Sequence, residues 1–211
     1  WPETLIAWSR LLLGRFSDPE VGRSTAIGAV SGCLVAVVHS FQHLCGPWIG
    51  SPMLRPMIDD ATGVSALMGV REIVGALAIH AVDACLYGMG LLLGIVLLSL
   101  LFRDRRLALA VYAVLQTAVL GLAAANNPLG WFFALIMAAI VMVVLLRYGL
   151  LALVVGAFVF KLCVSFPITT NTAAWYFGSG VFAVALIAAM GLWGLFTASR
   201  AELHRPYLKA A

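Results

Sequence analysis

From Ile73 to Phe102 the chain runs thirty residues with one carboxylate, Asp83, and no lysine or arginine. A soluble domain has no place for such a stretch, whereas a bilayer core of roughly 30 Å takes about twenty apolar residues per helical crossing. Runs of the same character fill most of the sequence. Apolar residues make up 63% of the 211 positions and charged ones 10%, against about 25% charged in an average soluble domain. The mean hydropathy is +1.04. These features predict an all-α integral membrane protein.

Segmenting the apolar runs predicts six crossings, over about 22–45, 72–102, 107–124, 130–147, 150–166 and 173–197. Residues 64–71 read as an interfacial turn or helix start. Pro- and Gly-bearing sequence (46–63, 126–130 and around Pro167) separates the spans. Ahead of them, residues 2–16 carry Leu5, Ile6, Trp8, Leu11, Leu12 and Phe16 at the spacing of an amphipathic helix lying on the membrane face. Asp18-Pro19-Glu20 then reads as a helix start, with Asp18 the cap and Pro19 the first helical residue. The expected organisation is a juxtamembrane helix over 1–20, a six-span domain over 21–198 and a polar tail over 199–211.

The formal charge of +4 comes from basic residues at segment ends. Charge so placed orients membrane segments and does not form a nucleic-acid surface. With six spans, Arg10, Arg15, Arg23, Arg103, Arg105, Arg106, Arg147, Arg200, Arg205 and Lys209 share one side. The other side carries only Arg55 and Arg71, beside Asp59, Asp60 and Glu72. The positive-inside rule puts both termini in the cytoplasm, with Arg103, Arg105, Arg106 and Arg147 as the main topology anchors. Trp48, Trp131, Tyr148, Trp175, Tyr176 and Trp193 near span ends fit an interfacial aromatic belt.

Gly28 and Gly32 in the first span, and Gly90 and Gly94 in the second, have the GxxxG spacing that lets helices pack closely. Polar groups within spans are costly and each needs a reason. His39, His43, His80, Asp83 and Lys161 are the ones to explain. At 1.5 Å rise per residue, His39 and Lys161 lie about 9 Å from the outer surface, His80 about 12 Å and Asp83 about 16 Å. All therefore fall in the outer half of the bilayer. His39 and His43, at i and i+4, share a helical face suited to a metal or an axial ligand, and Asp83 can orient His80. Such a group suits haem, a chlorophyll-type pigment, a quinol or a metal ion. The alternative is that Lys161 snorkels, His43 sits among headgroups and His80 pairs with Asp83, with no cofactor bound. Cys45 and Cys163 both fall near the outer face, where they can form a disulfide if close or remain inert thiols. No serine, cysteine or glutamate constellation for hydrolysis stands out.

GRFSDPEVGR (14–23), RYGLLALVV (147–155), SFPITTNTAAWYFGSG (165–180) and GLWGLFTAS (191–199), with the arginine cluster after span two, give the chain a resemblance. It resembles the multi-pass membrane module at the carboxyl end of certain bacterial serine/threonine protein kinases. That resemblance implies a bacterial cytoplasmic membrane and a kinase domain placed before Trp1, on the side of ATP. The kinase motifs themselves are absent from these residues. The expectation is a non-catalytic anchor, sensor or assembly subunit, in contact with lipid and with other membrane subunits or further copies of itself. Two alternatives stand beside it: a cofactor-binding subunit of an electron-transfer or photosynthetic complex, and a small transporter. The transporter needs a wet path past Asp83, and the inner halves of the spans offer almost no polar lining.

Overall fold

A computed structural model of the chain describes residues 2–45, 67–102, 104–123 and 128–204. Among them there are six helices and no strand: α1 (Pro2–Leu12), α2 (Pro19–Cys45), α3 (Val70–Leu101), α4 (Arg105–Ala123), α5 (Pro128–Ser165) and α6 (Phe177–His204). All except α1 are long and apolar enough to cross a membrane. The 46–63 loop with Trp48, Arg55, Asp59 and Asp60, the Asn126-Asn127 turn, and Arg103, Arg205 and Lys209 lie outside the described residues.

The amphipathic first helix is shorter than its apolar spacing predicts. Gly14 adopts φ 75°, and the N–H groups of Gly14 and Arg15 donate to the carbonyls of Leu11 and Arg10 at 2.9 and 3.0 Å. This left-handed cap satisfies the last carbonyls and stops α1 at Leu12. Ala7, Trp8 and Leu11 pack on Val21, Leu151 and Val155, while Leu12, Leu13 and Phe16 stay exposed. Asp18 starts α2 in two ways. Its Oδ1 accepts the Glu20 N–H at 3.0 Å, and its carbonyl accepts that of Gly22 at 3.0 Å. The same carboxylate receives Arg10 Nη1 at 2.8 and 3.0 Å, tying α1 to α2. Asp104 repeats the arrangement at α4, its Oδ1 accepting the Arg106 N–H at 2.9 Å.

The segments expected at 130–147 and 150–166 are two helical arms, here taken together as α5, which a non-helical residue, Gly149 (φ 85°, ψ −176°), separates. The chain reverses there. Val144 and Leu153, Val141 and Gly156, and Met137 and Phe160 line one cavity, although a straight helix would separate the last pair by about 35 Å. His39 and Phe41, neighbours on α2, meet Phe160 and Phe133 respectively, one on each arm. The 150–165 arm forms the middle of the molecule.

Close helix approaches explain how the arms and α2 fit together. A Cβ on Gly28 would lie 2.6 Å from the Ala152 carbonyl oxygen and 2.7 Å from Val155 Cβ. One on Gly32 would meet the Gly156 carbonyl oxygen and Val159. On its other side α2 contacts α6, where a Cβ on Gly22 would come within 2.8 Å of both Gly194 O and Thr197 Cβ. Gly94 lies under the Tyr112 ring of α4. Gly90 departs from expectation: a Cβ there meets nothing within 4 Å. The small-residue face of α3 is instead Ala76, His80, Ala84 and Gly88, all buried at four-residue intervals, with Gly88 against Val154 of α5.

Start and end of α6 also differ from expectation. Asn171 forms a side-chain turn, its Oδ1 accepting the Ala173 N–H at 3.1 Å, which delays the helix to Phe177. The helix continues through residue 198 to His204, so no break in the backbone marks the expected tail boundary.

Candidate functional site

A cavity of about 340 Å³ lies among α2, α3, α4 and both arms of α5. Its walls are largely aliphatic, with polar groups from Asp83, Tyr87, Ser31 and Lys161. Asp83 and Lys161, which the sequence assigns to the same half of the bilayer on separate spans, are half-buried and line the same space. One turn beyond Asp83, the Tyr87 hydroxyl accepts a hydrogen bond from Gln116 Nε2 of α4 at 2.8 Å. That bond fixes the phenol at the wall. Ser31 Oγ donates to the Gly28 carbonyl at 2.9 Å and sits 2.9 Å from where a Cβ on Gly156 would lie. Gly156 therefore leaves room for the hydroxyl. Such a space suits an apolar group carrying a polar end that can pair with a carboxylate, an ammonium or a phenol.

The histidines divide. His39 and His43 face each other with Nε2 atoms 3.3 Å apart and rings edge-on at 4.8 Å, and His39 also meets the Phe160 ring at 5.6 Å. His39 thus lies beside the residue preceding Lys161. His80 is fully buried, on the Ala76–Ala84–Gly88 face that packs on the 150–165 arm. Asp83 turns toward the cavity instead. The two-histidine face of α2 has no third metal-type donor grouped with it among those residues. All four cysteines are free, and Cys163 lies beside Cys33.

Tyr87, Gln116, Ser31 and Gly156 are site residues that sequence reading passed over. Tyr87 alone had a visible signal, lying four residues after Asp83 and hence on its helical face. Of the topology anchors, Arg105 and Arg147 border a second cavity at the opposite end of α2 from His39, while Arg106 lies outside it. No family model, characterised protein or solved structure matches the chain.

Proposed function

We propose that this chain is a non-catalytic, six-crossing membrane module, with both ends on the cytoplasmic side of a bacterial inner membrane. It serves a larger complex as anchor, sensor or assembly subunit. The reversal at Gly149 carries this reading. A continuous 38-residue α5 would extend about 57 Å, nearly twice the hydrocarbon core, whereas two arms each come close to one crossing. Counting both arms returns the chain to its starting side. It also sets Arg147 at the same end as Arg10, Arg23 and Arg105, as the positive-inside rule requires. In this setting α1 lies along the interface, with Leu12, Leu13 and Phe16 in lipid. The resemblance to kinase-associated modules supports a signalling assembly as the larger complex. The exposed aliphatic faces of α3, α4 and α6 leave ample surface for lipid and partner helices.

The cofactor-binding reading fits less well. His39 and His43 are spent on each other, and His80 projects into close helix packing, so these rings do not converge on one space. A transporter would need polar walls on both sides of Asp83, and the cavity beside it is mostly aliphatic.

Topology is testable with single cysteines on a background lacking the four native ones. Cysteine at Asn171 should react with an impermeant maleimide in intact cells, while cysteine at Asp104 or Tyr148 should react only after permeabilisation. Protection of position 171 until permeabilisation would mean five crossings and would overturn the reading. The assembly role predicts native-gel migration well above the 22.5 kDa chain after mild detergent extraction from its own host. A purely monomeric species would exclude that role.

A further inference from the structure

Arg10, Arg23, Arg105 and Arg147 come from four different elements, yet they line one cavity of about 680 Å³. Orientation alone does not require this: arginines that merely anchor spans can lie anywhere around the rim, as Arg15 and Arg106 do outside the cavity. Three structural devices create the convergence. The Asp18 carboxylate holds the half-buried Arg10 by two contacts. The reversal at Gly149 returns Arg147 and Tyr148 to the start of α2. The first turn of α1 seats its Thr4 carbonyl directly over Gly149, closing one wall. Buried Ser24 adds a hydroxyl-bearing residue to the lining. Among the described lining residues the four guanidinium groups face one carboxylate, Glu20, and Asp18 sits on Arg10.

We propose that this cavity is a binding site for a phosphate-bearing ligand with at least two negative charges. Guanidinium forks match phosphate oxygens two at a time, and basic pockets between membrane helices take anionic lipid headgroups. The two phosphodiesters of a cardiolipin headgroup and a soluble pyrophosphate both present at least two negative charges on phosphate oxygens. The site stands independently of the crossing count, since the four arginines share the cavity in either topology.

The test uses the purified full chain in nanodiscs, where both faces meet solvent. One arm measures retention of cardiolipin in mixed phosphatidylcholine–cardiolipin discs by native mass spectrometry. The other titrates inorganic pyrophosphate onto protein in pure phosphatidylcholine discs. The Arg23→Ala/Arg147→Ala variant should weaken binding about tenfold or more, since each charge-assisted bond contributes substantially. An Arg15→Ala/Arg106→Ala variant, which removes equal charge from the same end, should leave binding within about twofold. Both cavity arginines are exposed, so the variant should unfold at the same temperature as the parent in phosphatidylcholine. Should it not, Arg→Lys at both positions gives the same comparison, with the fork lost and the charge kept. Cardiolipin retention alone assigns a lipid, and pyrophosphate binding alone assigns a soluble ligand. Equal losses in the two alanine variants, or no binding in either arm, would overturn the site.

Discussion

Gly32→Val is expected to destabilise the protein by about 3 kcal/mol or more, at the upper end of the usual cost of overpacking. The added Cβ would collide with the Gly156 carbonyl oxygen and Val159, across the contact between α2 and the 150–165 arm. A carbonyl inside a helix cannot turn aside without breaking its own hydrogen bond, so the helices must separate. Separation also removes the neighbouring fit of Gly28 under Ala152 and Val155. In lipid this matters more than in water, because close packing is the chief attraction between apolar helices there. Gly90→Val is the matched comparison. It makes the same change in a helix where a Cβ meets nothing within 4 Å, and its effect should stay within about 0.5 kcal/mol. Unfolding by a graded denaturing-detergent titration measures both. Equal stability of the two variants would show that the α2 glycines do not set the packing.

The contrast between Gly32 and Gly90 also marks how far the sequence could be read. Both belong to a GxxxG pair, and spacing alone treats them alike. The buried stripe of α3 runs instead through Ala76, His80, Ala84 and Gly88, and only the position of the 150–165 arm selects it. The fate of the histidines follows from the same limit. Helical rise gives the depth of a residue, and it assigns Asp83 and Lys161 to the same half of the bilayer; the two line one cavity. Rise gives no direction around the axis. His80 falls in the same half of the bilayer but belongs to the small-residue stripe, so it points at α5 while Asp83 turns away. Local devices were more legible. Asp18-Pro19 reads as a cap because its hydrogen-bond partners lie within four residues. The ion pair from Arg10 to that cap, and the gathering of residues 10, 23, 105 and 147 around one cavity, depend on the α1–α2 corner and the α5 reversal. No spacing rule reaches across such distances in sequence.

Gly149→Ala should cost about 3 kcal/mol and loosen α1 from the rest of the molecule. At φ 85° and ψ −176° the backbone occupies a region that is nearly glycine-only, and strain of this kind amounts to about 1–3 kcal/mol. A second penalty adds to it, because the new Cβ would lie 2.5 Å from the Thr4 carbonyl oxygen and 3.2 Å from the carbonyl carbon. The strain cannot be relieved by straightening α5, since a continuous helix of that length would overrun the bilayer. Displacement of α1 is the available response. It would carry Arg10 away from Arg23 and Arg147, so trypsin should cut faster after Arg10 and Arg15, and phosphate binding at the arginine cavity should fall with it. Gly14→Ala separates strain from collision. Gly14 also has positive φ, 75°, but a Cβ there meets nothing within 4 Å, so the cost should be only about 1–2 kcal/mol, with α1 still seated. If Gly149→Ala proves no more harmful than Gly14→Ala, and trypsin cleavage after Arg10 is unchanged, then the seat of α1 on the α5 reversal contributes nothing to the fold.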